Sequence, residues 1–270
     1  MNYHSDDWIM SKIKAHYEEA LKHFPSNRIV GIFNQGSANY GLDVESSDVD
    51  TKLIVTPSLI DIALNKQPIS TTYVLDNDEH IDFKDIRLYC DTFKKQNLNF
   101  LEILFTKYKI VNPLYADQWN QLVEAREAIA HYSPIRAIKS MTGLAHTKYK
   151  NLTHESPASI PFIEKYQYVP KELHHLIRIW EYLVRYVSGE SYEQCLVSNI
   201  PEILKKIKSG FYSCAEAQIL ADMFIDEIDR ICDEYINKYD VVTDQSVESL
   251  LQDVQYNIIK ISIKQEIAND

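Results

Sequence analysis

Glycine is scarce in this sequence, with six residues in 270. Three of them, Gly31, Gly36 and Gly41, fall within one short stretch. Because glycine permits backbone conformations that are closed to other residues, this concentration marks a place where the chain needs that freedom. The stretch is therefore the first candidate for a functional loop.

Cysteine is also sparse, and long apolar runs are absent. The four cysteines contain no CxxC pair, so zinc and redox spacings are excluded. We expect reduced, structural thiols of an intracellular, cytoplasmic protein. No apolar run approaches the roughly 18 residues of a membrane span, and we expect none. The cysteines are Cys90, Cys195, Cys214 and Cys232.

Positive charge is in short supply. Lys and Arg number 28 against 39 Asp and Glu, which gives a net charge of −11 and a pI near 5.3. Binding to a long, uniform nucleic acid depends on phosphate neutralisation, so this balance argues against it. A small nucleotide, or a nucleic acid held in a local basic groove, remains compatible with the composition.

The richest stretch runs from Ile29 to Val55 and reads IVGIFNQGSANYGLDVESSDVDTKLIV. An apolar strand delivers Gly36 and Ser37, and a second strand begins at Asp48 and Asp50. Residues two apart in a strand share a face, and paired carboxylates are costly without a cation between them. Oxygen ligands of this kind suit Mg²⁺, with Mn²⁺ as a substitute. Gly36 lets the backbone approach a ligand closely, and the Ser37 hydroxyl and N–H suit phosphate oxygens, so we predict that the two residues hold the β- and γ-phosphates of a nucleotide.

Gly36-Ser37, a spacer and Asp48-Val49-Asp50 resemble the signature of the DNA polymerase beta superfamily of nucleotidyltransferases. The fuller string GSANYGLDVESSDVD is similar to its RNA-ligase-associated branch, as are Asn97 to Leu104 (NLNFLEIL) and Lys171 to Arg178 (KELHHLIR). The resemblance implies an α+β fold, a small mixed or antiparallel sheet with helices followed by an all-helical region. It also implies transfer of a nucleoside monophosphate from an NTP to an acceptor hydroxyl, with an RNA or tRNA end as the acceptor.

The family signature includes a third acid on a later strand, and two residues compete for that role. Asp82 lies between Ile81 and Phe83, and an acid flanked by core residues is expensive unless it meets a cation. We therefore predict that Asp82 joins Asp48 and Asp50 as catalytic and metal-binding residues. Asp85 is the alternative, although it is better placed to cap a helix that starts at Ile86.

Three polar features lie outside this stretch. Lys171, His174 and Arg178 share one helix face by their spacing, and the resemblance implies that this face binds the nucleotide phosphates; a solvated basic face is the alternative. Glu102, polar in an apolar helix, is expected to bond a loop backbone. The basic residues near Tyr149 are the candidate acceptor groove, or an ordinary solvated helix face. These are Lys139, His146, Lys148 and Lys150.

Periodicity divides the chain into two halves. We predict a catalytic domain over 1–112 and a helical domain over 113–270. The first half carries a helix, strands near both motifs, a hairpin and a helix after Asp85. The predicted helices of the second half cover 114–130, 134–151, 170–188, 191–208, 213–238 and 246–265.

Two other functions share these features. One is a nucleotide-sensing or antitoxin-like module that binds an NTP without turnover. The other is transfer to a protein hydroxyl, that is, protein adenylylation. A functional third acid favours an enzyme over the sensing module. The sequence does not specify the oligomeric state.

Overall fold

The computed structural model describes residues 2–269, and they form two compact units. The first contains the chain up to Tyr132 and again from Thr243, and the second runs from Ser133 to Val242. No helix among the described residues is long and apolar enough to cross a membrane. The four cysteines are free thiols, as predicted.

A five-stranded mixed sheet organises the first unit. The strand order is β3-β4-β2-β1-β5, and only the β2–β4 pair is parallel. The α+β class and the mixed sheet are confirmed, as is the predicted hairpin, formed by β3 and β4. The strands are β1 (Ile29–Gln35), β2 (Asp50–Val55), β3 (Ser70–Val74), β4 (His80–Asp85) and β5 (Lys109–Val111).

Helices cover this sheet on both faces. The first helix packs its apolar side, including Ile9 and Ile13, against Leu53 and Phe83 on one face. The last helix of the chain returns to this unit, where Ser262 Oγ lies 2.6 Å from Thr56 Oγ1 at the end of β2. The helices are α1 (Asp6–Ala20), α2 (Leu59–Ala63), α3 (Ile86–Lys94), α4 (Leu98–Leu101), α5 (Ala116–Glu124), α6 (Arg126–Ala130) and, after the second unit, α13 (Gln245–Asn269).

The second unit is helical, as predicted for this part of the chain. Its central helix α9 buries eleven side chains and packs against α7, α11 and α12. The predicted helix over 191–208 is two helices, because Pro201 starts the second one and lacks the N–H that a helix interior needs. The helices are α7 (Pro134–Asn151), α8 (Ile160–Tyr166), α9 (Pro170–Val187), α10 (Tyr192–Leu196), α11 (Pro201–Lys208) and α12 (Cys214–Lys238).

The unit boundary differs from the predicted one after residue 112. Helices α5 and α13 pack against each other, and α13 also packs against α3, so they belong with the sheet. A change from mixed to helical periodicity marks where strands stop. It does not reveal that the last helix of the chain returns to the sheet.

Asp85 caps α3, which confirms the interpretation given to this acid. Its Oδ1 accepts from the Arg87 backbone N at 2.9 Å, and its Oδ2 lies 2.7 Å from Arg87 Nη2. The residue is 1% exposed. Asp85 therefore caps the start of α3, and both of its carboxylate oxygens contact Arg87.

Asp85→Ala is expected to lower the unfolding free energy by about 2–3 kcal/mol, because it removes the cap and leaves Arg87 without its carboxylate. Urea unfolding followed by circular dichroism measures the change. Asp91→Ala is the matched control on α3, since its side chain is 58% exposed and pairs with Lys94 at the surface; we expect about 0.5 kcal/mol or less there. Equal losses in both variants would contradict the capping role.

Candidate functional site

The Gly36–Ser37 turn closes the end of β1. Gly36 has φ 103° and ψ −160°, a conformation that is essentially restricted to glycine, and a 3-10 turn follows over Ser37–Tyr40. The Gly36 backbone N donates to Glu102 Oε1 at 3.3 Å. Glu102 is 3% exposed, and the prediction that it bonds a loop backbone is confirmed. The backbone conformation of the turn thus requires glycine at position 36.

Asn39 ties this turn to its surroundings. Its Oδ1 accepts from Asn34 Nδ2 at 2.9 Å and from Thr106 Oγ1 at 2.6 Å. Its Nδ2 donates to the Asn34 carbonyl oxygen at 3.0 Å. The amide is fully committed to the loop, so the turn has a defined shape before any ligand arrives.

Strand register brings the turn and the acids together. In the antiparallel β1–β2 pair, Gln35 is the partner of Asp50, so Gly36 follows directly beside the start of β2. The Ser37 hydroxyl also donates to Ser47 Oγ at 3.5 Å, next to Asp48. Fourteen residues separate the two strands. The Gly36–Ser37 turn and the two acids nevertheless lie at the same end of the β1–β2 pair.

Asp48 and Asp50 project away from the core. Val49 between them is 2% exposed and belongs to the core under α1. Asp48 is exposed, and Asp50 is half-buried. This burial pattern is that of an extended segment with Val49 facing the core. That the two carboxylates bind one ligand together stays a prediction.

Among the described residues, Asp50 has a protein partner and the Asp48 carboxylate has none. Asp50 Oδ1 accepts from the His80 backbone N at 2.9 Å and lies 3.1 Å from His80 Nδ1. Across residues 2–269, Asp50 Oδ2 and the Asp48 carboxylate make no hydrogen bond or ion pair with the protein. Three of the four carboxylate oxygens are therefore free to take a ligand.

Asp82 was predicted to join Asp48 and Asp50, but in the structure it is paired with a lysine. Its Oδ2 lies 3.0 Å from Lys52 Nζ, and its Oδ1 accepts from Thr72 Oγ1 at 3.5 Å. Among the described residues, no group of three or more His, Cys, Asp or Glu is placed to hold a metal ion. The predicted three-acid metal site is thus not formed, because a lysine from the neighbouring strand satisfies the third acid.

A second lysine lies on the same face of the sheet. Lys52 Nζ is 3.9 Å and Lys84 Nζ 4.3 Å from the centre of the Phe100 ring. The pKa of Lys84 is lowered, mainly by burial. The charge of Asp82 opposes this lowering of the pKa, and the positive charges of Lys52 and Lys95 add to it. This face therefore carries two lysines as well as the acids.

Asp48 and Asp50 by themselves still suit a divalent cation. Mg²⁺ is commonly held by one or two carboxylates, with phosphate oxygens and waters completing its shell. The free oxygens of the two acids fit that pattern, whereas one oxygen of Asp82 is already paired with Lys52. The donor set thus fits a cation that is bound together with a phosphate-bearing ligand.

His16 on α1 contacts residues at the starts of β2 and β4. Its Nδ1 lies 2.9 Å from Thr51 Oγ1 and its Nε2 lies 3.1 Å from Glu79 Oε2. Thr51 follows Asp50, and Glu79 precedes His80. A buried side chain of α1 therefore fixes the starts of both strands that carry the Asp50–His80 pair.

The predicted phosphate-binding face belongs to the second unit, where its members differ in environment. Lys171 is exposed, whereas His174 and Arg178 are 2% and 7% exposed. His174 Nδ1 donates to the Leu204 carbonyl at 2.9 Å. Burial, assisted by the charges of Lys208 and Arg178, lowers the pKa of His174 to about 4. His174 is neutral at pH 7 and bonds α11, so it does not supply the predicted cation.

The basic stretch near Tyr149 is largely paired with acids. His146 Nε2 lies 2.8 Å from Asp229 Oδ1, and Lys148 Nζ lies 3.2 Å from Glu172 Oε2. Tyr149 donates to Asp222 Oδ1 at 2.7 Å. An acceptor groove at this stretch would need these pairs to open. Lys139 and Lys150 stay exposed.

Sequence reasoning missed Lys52 and His80. Lys52 is two residues beyond Asp50, so β2 periodicity alone places it on the same face as the acid. The pairing of Asp50 with His80, and of Lys52 with Asp82, depends on the parallel β2–β4 register. No local pattern specifies that register.

No family model matches the chain, and no curated protein matches it. Seven chains among solved structures match. One is the nucleotidyltransferase-like protein from Exiguobacterium sibiricum 255-15, with 12% identity and a TM-score of 0.30, over 83% of this chain and 75% of that chain. A TM-score this low does not define a shared fold, so the function must be inferred from the site itself.

Proposed function

We propose that this protein is a nucleotidyltransferase that moves a nucleoside monophosphate from an NTP to an acceptor hydroxyl and releases pyrophosphate. The observation that carries the proposal is the β1–β2 register, with Gln35 opposite Asp50. It sets a glycine-serine turn beside two carboxylates that keep free oxygens. The likeness of these motifs to the polymerase beta superfamily signature supports the same function.

Each residue at this edge has a role in the proposed reaction. Ser37, with its hydroxyl and backbone N–H, holds phosphate oxygens of the NTP. Asp48 and Asp50 hold Mg²⁺, for which Mn²⁺ can substitute, and His80 keeps Asp50 oriented through two contacts to one oxygen. When bound, the cation neutralises phosphate charge and favours ionisation of the acceptor hydroxyl.

The transfer is an in-line displacement. The acceptor oxygen forms a bond to the α-phosphorus, and the bond from that phosphorus to the β-phosphate oxygen breaks. Pyrophosphate leaves with the electron pair, and the hydroxyl proton passes to solvent. We propose an RNA or tRNA end as the acceptor, because similar proteins are associated with RNA ligases; a protein hydroxyl satisfies the same chemistry.

A nucleotide-binding module without turnover is the second candidate. The ion pair between Lys52 and Asp82 favours it, because it removes the third acid from the carboxylate cluster. Such a module would use the same turn and the same two acids to hold an NTP. It would differ in releasing no pyrophosphate.

Incubating the protein with total RNA, a protein acceptor pool, Mg²⁺ and each labelled NTP separates the two candidates. We expect label in a macromolecule and release of one pyrophosphate per transfer. Calorimetry in parallel measures NTP affinity. Tight binding of an NTP without pyrophosphate release from any pool would support the sensing module and contradict the transferase.

A further inference from the structure

Lys52 is a buried cation built into the candidate site. Its side chain is 3% exposed, and it lies on β2 two residues beyond Asp50, on the same face. In the parallel pair of β2 with β4 its partner is Asp82. The register of the two strands thus places the Lys52 ammonium beside Asp82.

The contacts of this pair already give Asp82 a cation. Lys52 Nζ lies 3.0 Å from Asp82 Oδ2 and 3.9 Å from the centre of the Phe100 ring. The other oxygen of Asp82 faces Thr72 Oγ1 at 3.5 Å. A divalent ion at Asp82 would have to displace a buried ammonium. Separating such a pair is strongly unfavourable, because the ammonium would stay buried without its counter-charge.

Asp48 and Asp50 differ from Asp82 in this respect. Neither is paired with a lysine or an arginine in the described part of the chain, and Asp50 contacts only His80 through one oxygen. The three acids therefore divide into two that can accept a cation and one that already has one.

We infer that Lys52 is the permanent counter-ion of Asp82 and takes the place that a divalent cation would otherwise fill there. The metal-binding set of this protein is then Asp48 and Asp50 alone, and Asp82 is the charge partner of Lys52. This inference rests on the proposed function in one respect, namely that the cation binds together with a nucleotide. The Lys52–Asp82 pair itself is independent of any nucleotide.

Mn²⁺ titration followed by electron paramagnetic resonance, with a non-hydrolysable NTP analogue present, tests the assignment without measuring activity. Asp48→Asn and Asp50→Asn are expected to weaken Mn²⁺ binding by about tenfold or more. Asp82→Asn alone would leave the Lys52 ammonium uncompensated beside Asp50, so the pair is removed together. The double variant Lys52→Met/Asp82→Asn is expected to bind Mn²⁺ with the same affinity and stoichiometry as the unaltered protein. Asp78→Asn, in the exposed β3–β4 turn, is the matched control for loss of one negative charge.

Thermal unfolding of the same variants without metal tests the ion pair. Asp82→Asn and Lys52→Met are each expected to lower the melting temperature, on the order of 5 °C. The double variant is expected to lose less than the sum of the two, because neither partner is then left alone. Additive losses would contradict the pairing of the two charges.

The outcomes separate this inference from the proposed function. Weakening of Mn²⁺ binding in Lys52→Met/Asp82→Asn to the level of Asp50→Asn would overturn the inference, while the transferase proposal would stand. If the unaltered protein bound no Mn²⁺ with the analogue, both would be overturned. Unchanged binding in Lys52→Met/Asp82→Asn, together with loss in Asp48→Asn and Asp50→Asn, would establish the two-acid set.

Discussion

Asp50→Asn is expected to reduce nucleotidyl transfer by about 10²–10³-fold or more while leaving the fold intact. The substitution preserves the size of the side chain but removes the negative charge that the proposed cation needs. Asp50 is the acid best held in place, since His80 contacts one of its oxygens twice and leaves the other free. Its side chain is 35% exposed, so the core does not depend on its charge.

Initial rates of pyrophosphate release and thermal unfolding, measured on the same preparations, provide the test. Asp78→Asn is again the control, because it removes an equal charge at an exposed turn where φ is 64°, a conformation that Asn tolerates. Retained transfer in Asp50→Asn, at a rate close to that of Asp78→Asn, would eliminate the proposed mechanism. Loss of transfer with a large fall in melting temperature would point to a structural role.

Acidification is expected to destabilise the second unit through His174. Its pKa is about 4 in the folded protein, against 6.5 for the free side chain. Between these values the unfolded chain binds more protons than the folded one, so stability falls as the pH falls. The contribution is fully present above pH 6.5 and is lost progressively towards pH 4. Between pH 7 and 4.5 we expect a loss on the order of 2 kcal/mol from this residue.

Urea midpoints at pH 7.0 and 4.5 measure the effect, with His174→Gln as the test variant. A glutamine amide can still donate to the Leu204 carbonyl but does not titrate, so the variant should lose less stability on acidification than the unaltered protein. His154→Gln, at an exposed position, is the control and should behave like the unaltered protein. His175, whose pKa burial also lowers, and the carboxylates account for the pH dependence that remains. An identical acid response in both variants would refute the role of His174.

Local chemistry was sufficient to predict most elements of this chain. The alternation of Val30, Ile32 and the acids predicted β1 and β2, and a capping acid predicted the start of α3. Glycine needed for an unusual backbone predicted the turn at Gly36. These features depend on residues a few positions apart, where propensity and periodicity act directly. Glu102, a lone polar residue in an apolar helix, was likewise assigned to the loop backbone from local reasoning alone.

Contacts between distant segments decided the remainder. Whether Asp82 meets a cation or a lysine depends on which residue of β2 lies opposite it, and a shift of the register by one residue would direct Lys52 to the other face. The return of α13 to the sheet and the burial of His174 against α11 depend in the same way on packing between segments. The sequence by itself determined which groups can bind phosphate and metal. The tertiary structure decided which of them are left free to do so, because a charged group remains available only where no neighbour has already neutralised it.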